Sequence, residues 1–293
     1  MNKINKNNQN IKIASTSTSC LDYSPYKNHN IDLIRIKIFV NNKEYIDGEN
    51  ITAKEFYDIL NENSNVDVKT SQPSIGELIC YFRNLVKQGY KKAFVLTISQ
   101  KLSGSYNVVC QAQKQLKDEI EIIPYNTNTV CFSEGYFALE AERLFSEGAS
   151  VEKVIKHLDF LKENNTIFFI VNSLTQLIKN GRLNKTKGFL GRFFRIKPIL
   201  QVNKNGEIVL IEKKISMKKA FFSISDKIKK YTKNKKFLIH ILSTGNNHIK
   251  DEFKLFLEKE FQLEQIIEVP STPAVGAHVG NNVFGVGIII LNS

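Results

Sequence analysis

The chain has no tryptophan, no C-x-x-C pair among its four cysteines, and no apolar run long enough to cross a bilayer. Each absence removes a class of protein. Cys20, Cys80, Cys110 and Cys131 lack the spacing of a zinc site, and in a cytosolic chain such thiols are reduced small hydrophobes. The longest apolar stretch, Val283 to Leu291, is broken by Gly285 and Gly287. It falls far short of the about 20 residues that a membrane span needs. Residues 1–10, MNKINKNNQN, contain no apolar h-region. They read as a disordered tail rather than a signal peptide, and the expected location is cytoplasmic. No G-x-x-x-x-G-K-[ST] occurs, so there is no P-loop. Gly285 and Gly287 lack the rest of a dinucleotide fingerprint.

Arginine is also scarce. The net charge is +12, yet only six of the 41 cationic residues are arginine: Arg35, Arg83, Arg143, Arg182, Arg192 and Arg195. Nucleic-acid surfaces favour arginine with interleaved aromatics in one patch. Here lysines are spread along the chain beside many asparagines, so no nucleic-acid partner is expected. Three arginines do gather between 182 and 195.

What the sequence has is alternation. Ile11–Ala14 reads as a strand, followed by the hydroxyl run Ser15 to Ser19. Ile31 to Ile38 has a period of two and reads as one strand. Thr52 with Glu55, and Ser74 with Glu77, have capping-box spacing at the starts of two helices, and Gly89 ends the second. Val66–Val68 and Ala93–Ile98 read as strands, each leading through a hydroxyl-rich loop into a helix. A helix from Tyr106 to Lys117, a strand from Ile120 to Pro124 and two helices near 133–147 and 151–163 follow. Strand–helix alternation of this kind predicts an α/β fold with a parallel sheet. A second half opens with the strand Thr166 to Val171. It continues through a short helix carrying Leu174 and Leu177, then a hairpin turning at Asn205-Gly206. Helices near 216–231 and 247–260 alternate with strands near 237–242 and 265–269. The end is a Gly-rich loop around His278 and a strand from Val286 to Leu291. A domain boundary is expected near 164, giving an N-terminal α/β domain over 11–164 and a C-terminal α/β domain over 165–293.

Two loops carry candidate chemistry: Thr70 to Ser74, and Ser99 to Ser105. At the carboxyl edge of a parallel sheet, hydroxyls beside helix N-termini can hold a carboxylate or phosphate. Simple helix capping accounts for the same residues equally well. His278 stands among small residues and glycines, which suggests a close backbone approach. His29, His157, His240 and His248 have no partner spacing and read as structural side chains. Ser216 and Lys219 have S-x-x-K spacing with no accompanying motif, and Ser216 reads as a helix cap.

Thr70-Ser71-Gln72-Pro73-Ser74, Leu102-Ser103-Gly104-Ser105-Tyr106, Asn180-Gly181-Arg182-Leu183, Lys197-Pro198-Ile199-Leu200 and Gly276-Ala277-His278-Val279-Gly280 occur in the order expected of the DegV family. Tyr45-Ile46-Asp47-Gly48 and Gly285-Val286-Gly287 fit the same order, and the chain resembles that family from about Ile11 to Leu291. The resemblance implies a two-domain fold, with a Rossmann-like N-terminal domain and one long-chain fatty acid between the domains. It implies a carrier rather than an enzyme. Such a carrier presents the carboxylate to a separate, dihydroxyacetone-kinase-like ATP-dependent fatty acid kinase subunit, which makes an acyl phosphate for phospholipid metabolism. No other cofactor is implied, and transient contact with a membrane surface is compatible with it.

By the motif match, Thr70 and Ser103 would bind the carboxylate, with Ser71 and the Gly104 N–H nearby. Arg182 and His278 would stand beside the head group and support phosphoryl transfer. Arg192 and Arg195 are expected to face the kinase or solvent. Two departures stand out. Thr16 occupies the place of the Asp that usually precedes Ser-Thr, and Asn281-Asn282 replace the usual Gly-Pro-Gly. The rival reading is a stand-alone acyl hydrolase or transferase using Ser103 and His278.

Overall fold

A computed structural model of the chain describes residues 10–63, 66–183, 196–246 and 248–292. The tail residues 1–9 and the segment with Arg192 and Arg195 lie outside the described residues. Asn10 is described, and its carbonyl accepts hydrogen bonds from the amides of Lys91 and Lys92.

The strands are β1 (Ile11–Thr16), β2 (Ile31–Ile34), β3 (Lys37–Val40), β4 (Lys43–Ile46), β5 (Val68–Ser71), β6 (Lys92–Thr97), β7 (Glu121–Asn126), β8 (Asn165–Ile170), β9 (Lys197–Val202), β10 (Ile208–Lys214), β11 (Phe237–Ser243), β12 (Ile267–Pro270) and β13 (Phe284–Ile290). The helices are α1 (Ala53–Glu62), α2 (Ile75–Lys87), α3 (Ser105–Gln115), α4 (Phe132–Ser146), α5 (Val151–Glu163), α6 (Thr175–Lys179), α7 (Met217–Thr232), α8 (His248–Phe261) and α9 (Pro273–Val279).

β2-β1-β6-β7 form a parallel sheet. Alternation along its strands decides what each face meets. Ala14 and Val95 pack against Leu78 and Phe82 of α2 and Val109 of α3. Ile13, Phe94 and Leu96 point the other way, toward Phe137 and Ala141 of α4. The capping boxes at Thr52/Glu55 and Ser74/Glu77 are both formed, and Ser216 caps α7 by accepting from the Lys219 amide at 3.3 Å.

The second sheet has the order β10-β9-β8-β13-β11-β12 and is mixed. Only β11 and β12 run parallel; its other pairs are antiparallel. Along β8, Phe168 and Ile170 face a core built with α7 and α8. Ile167 and Phe169 face the opposite way, into a core shared with α4 and the parallel sheet. That shared core joins the two halves of the chain.

Three expectations are corrected. Ile31–Ile38 is not one strand: β2 ends at Ile34, and the chain resumes as β3 in a separate antiparallel sheet of order β4-β3-β5. Thr70 and Ser71 lie on β5 of that small sheet, not in a loop at the carboxyl edge of the parallel sheet. The Gly-rich stretch around His278 is the helix α9, with Pro273 in its first turn, where a missing N–H costs nothing. Its small residues permit tight packing: a Cβ on Gly276 would come within 2.6 Å of the Tyr57 ring.

Candidate functional site

A cavity of about 370 Å³ lies where the two large sheets and the small sheet meet. Its body is apolar, walled by Ile98, Val130, Ile167, Phe169, Leu242 and Val283 among others. Thr70, Ser71, Gln72, Ser103, Arg182 and His278 supply a polar group of lining residues. A volume of this size suits a small organic ligand.

α9 brings in the histidine. Ala274 and His278 are four residues apart and share the face that lines the cavity. His278 Nε2 stands 2.7 Å from the Thr70 hydroxyl. Nδ1 is buried without a partner among the described residues. Burial, aided by the Arg182 charge, pushes the imidazole down to about 4, so it is neutral at pH 7. Either tautomer leaves a donor unspent. If Thr70 donates to Nε2, the Nδ1–H is free; if Nε2–H donates to Thr70, the threonine O–H is free.

Arg182 follows α6 through a turn in which Gly181 has φ +72°. Its backbone amide donates to the Leu177 carbonyl at 2.9 Å. The guanidinium spends Nε on the Leu102 carbonyl at 3.0 Å and Nη1 on the Asn180 carbonyl at 2.5 Å. Asn180 in turn donates to the Ala277 carbonyl at 3.2 Å, which ties the arginine's support to α9. Of five N–H donors, the remaining ones have no partner among the described residues, and no described carboxylate pairs with Arg182. Half-burial lowers its pKa, yet a guanidinium stays charged. A cation with no described carboxylate partner, beside an apolar cavity, can pair with an anion.

Ser103 is partly committed. Its Oγ is 2.9 Å from Ser105 Oγ and accepts from the Ser105 amide at 3.3 Å, at the start of α3. Ser71 donates to the Gln72 carbonyl at 3.1 Å and is exposed, although it touches the cavity. Gly104 does not line the cavity. The Gln72 side chain lies against it, so closely that a Cβ there would fall on the Gln72 amide. Gln72 lines the cavity and was not singled out from sequence.

Other residues were missed because their partners are remote in sequence. Glu134, in the first turn of α4, is fully buried. It accepts from Ser15 at 3.2 Å, from Thr18 at 2.8 Å, and from Thr16. Thr16, where the family pattern expects Asp, thus donates to a carboxyl group supplied by α4. Asp47 is also fully buried; it accepts from Ser17 Oγ at 2.6 Å and from the Ala274 amide at 3.4 Å, fixing the start of α9. Burial pushes its carboxyl up to about 6. Tyr57 donates to the Ser271 carbonyl at 2.9 Å. The Asn281-Asn282 departure has a structural role: Asn281 donates to Asn61 of α1 at 2.5 Å, and the Asn282 amide to the Thr244 carbonyl at 3.1 Å. His240 is buried, but it is not a satisfied structural histidine. Among the described residues both ring nitrogens lack partners, and the ring packs on Phe132 and Gly287.

The fold and cavity together define a mixed α/β protein with a polar, cationic group of side chains on the wall of an apolar cavity. The family model described as "Uncharacterised protein, DegV family" matches residues 10–291, and the chain belongs to that family. A DegV domain-containing protein of Staphylococcus aureus is 30% identical over 284 residues, covering 95% of this chain and 98% of the relative. A fatty acid binding DegV family protein from Streptococcus agalactiae has a similar structure, with TM-score 0.85 and 26% identity over 96% of this chain and 99% of the other. A stearic acid-binding protein from Eubacterium ventriosum is equally similar, with TM-score 0.85 and 26% identity over 96% and 98%. Among the described residues no helix is long and apolar enough to cross a membrane.

Proposed function

We propose that this protein binds one long-chain fatty acid, with the tail in the apolar cavity and the carboxylate at Thr70, Ser103, Arg182 and His278. The observation that carries the reading is the half-buried Arg182 cation, free of any described carboxylate, on the wall of that cavity. About 15 methylenes at ~0.8 kcal/mol each supply on the order of 12 kcal/mol gross, before ordering costs. Charge-assisted hydrogen bonds at ~1.5–3 kcal/mol each offset burial of the carboxylate. The ligand lies between an N-terminal region, 11–164, and a C-terminal region, 165–293.

In this reading the chain is a cytoplasmic carrier that presents the carboxylate to a separate ATP-dependent, dihydroxyacetone-kinase-like subunit. Hydroxyl and imidazole donors leave a carboxylate oxygen nucleophilic, and Arg182 steadies incoming phosphoryl charge. The rival acyl hydrolase would need Ser103 paired with His278 as nucleophile and base. Instead Ser103 Oγ contacts Ser105, and His278 Nε2 contacts Thr70. That pairing supports the carrier.

Native mass spectrometry of the purified protein tests the reading. A bound mass equal to one fatty acid, exchangeable with added oleic acid, is expected. Protein that neither retains nor takes up a fatty acid refutes it. Turnover of an acyl ester by the isolated chain, lost in Ser103→Ala, would favour the hydrolase instead.

A further inference from the structure

The cavity wall carries a second polar group, away from the head-group residues. Thr18, Cys131, Thr244 and Ser271 also line the cavity. Exposure separates the two groups. Ser71 and Gln72 are exposed, and Thr70, Ser103, Arg182 and His278 are half-buried, so these six mark the mouth. Thr244 and Ser271 are 0% exposed and Cys131 is 3% exposed, so they stand in the interior. α9 spans the distance between the groups. Ser271 precedes its N-cap, Thr272, and His278 lies in its last turn. At about 1.5 Å of rise per residue, roughly 9 Å of helix separates them.

Topology brings Thr244 and Ser271 together. β11 and β12 run parallel, and their register ends with Ser243 beside Pro270. Thr244 and Ser271 are the next residues along. The Ser271 amide donates to the Ser243 carbonyl at 2.8 Å, which holds the two exits side by side. The Thr244 amide donates to the Val283 carbonyl at 2.8 Å, and the Thr244 hydroxyl oxygen accepts from the Val283 amide at 2.9 Å. The Thr244 O–H then has no acceptor among the described residues. Ser271 Oγ has one described contact, the Cys131 sulfur at 3.8 Å, and sulfur is a weak partner. Thr18 differs, because its hydroxyl is spent on Glu134 at 2.8 Å. A plain hydrocarbon tail lying here would leave the Thr244 and Ser271 hydroxyls buried with hydrogen bonds unmade.

We propose that Thr244 and Ser271 form a second binding site, which takes a hydroxyl group carried partway along the fatty acid chain. The ligand oxygen accepts from the Thr244 O–H, and the ligand O–H donates to Ser271 Oγ. The carboxylate stays at the mouth. This rests on the fatty acid reading and deepens it: the preferred substrate class is a hydroxy fatty acid.

Displacement of a fluorescent fatty acid from the full-length protein gives the Kd of stearic acid and of its 10- and 12-hydroxy derivatives. At least one hydroxy acid should bind tighter than stearic acid. That preference should fall at least fivefold in Thr244→Val, the low end of the cost of an unpaired buried hydroxyl. Thr244→Ser keeps the hydroxyl and should keep the preference. Thr244→Val also removes the acceptor of the Val283 amide, so Ser271→Ala, which leaves that bond intact, is the second variant and should lower the preference too. Stearic acid bound tighter than both hydroxy acids overturns the proposal. So does a preference equal in native, Thr244→Val and Ser271→Ala proteins, or one that falls as much for 2-hydroxystearic acid, whose hydroxyl stays at the mouth. In those events bound stearic acid leaves the fatty acid reading standing. Protein that binds none of these acids refutes that reading and this proposal together.

Discussion

Replacing Glu134 by glutamine should stabilise the protein at neutral pH and much less in acid. The carboxyl group is wholly buried and surrounded by the hydroxyls of Ser15, Thr16 and Thr18. Burial outweighs those donors and pushes its pKa from 4.5 up to about 8. Between these values the folded chain keeps a proton that the unfolded chain releases. Stability from this group is therefore fully present below about pH 4.5 and is lost as pH rises toward 8. Linkage puts the loss at about 1 kcal/mol at pH 5 and about 3 kcal/mol at pH 7. Glutamine has nearly the same shape and, like the protonated acid, offers both a donor and an acceptor to the three hydroxyls. Its advantage over the native residue should grow by about 2–3 kcal/mol between those pH values. Urea unfolding of both proteins at each pH measures this as a midpoint shift on the order of 1 M. Asp47, His240 and His278 titrate in both proteins, so their contributions cancel in the difference. A difference between the two proteins that stays constant within about 0.5 kcal/mol would show that Glu134 is not held protonated, and the argument would fail.

Thr70→Val should weaken fatty acid binding about tenfold, the loss of one hydrogen bond to a charged group, in a displacement titration with a fluorescent fatty acid; unchanged affinity would remove Thr70 from the head-group site. Arg182→Ala should weaken fatty acid binding about tenfold or more and, at saturating fatty acid, lose acyl phosphate formation when a fatty acid kinase subunit and ATP are supplied. Unchanged turnover would exclude Arg182 from phosphoryl transfer. Gly287→Ala should cost about 3 kcal/mol, read as a fall in thermal midpoint, because the new methyl would land on the buried His240 ring.

Local signals in the sequence were reliable wherever the physics was local. Ser74 and Glu77 form their capping box because both partners lie within one turn. Asn205-Gly206 turns the β9–β10 hairpin because Gly206 can adopt φ +77°. The order of strands and helices followed from periodicity for the same reason. Legibility failed where an element's role is set by a distant partner. Glu134 reads as one more helical glutamate until α4 is laid on the Thr16–Thr18 turn, more than 100 residues earlier. α9 was read as a loop because glycine and histidine are poor helix formers, although Thr272-Pro273 carries a helix-start signal.

The broken strand at Arg35 explains how the site is assembled. Ile31 to Ile38 alternates without interruption, so periodicity alone favours one strand. In the fold Arg35 is held to Asp22 at 2.5 Å and to the Asp47 carbonyl at 3.1 Å, which draws the chain out of the parallel sheet. Ile36 is thereby left in the cavity wall, its amide bonded to Ser17 Oγ at 3.2 Å. β3 then starts a new sheet, in which Ile38 pairs with Thr70. Had β2 continued, β5 would have no strand to pair with at that position, and Thr70 would not stand opposite His278. The ion pair at Arg35, an arginine that the family motifs did not mark, thus helps bring Thr70 and His278, 208 residues apart, within 2.7 Å of each other.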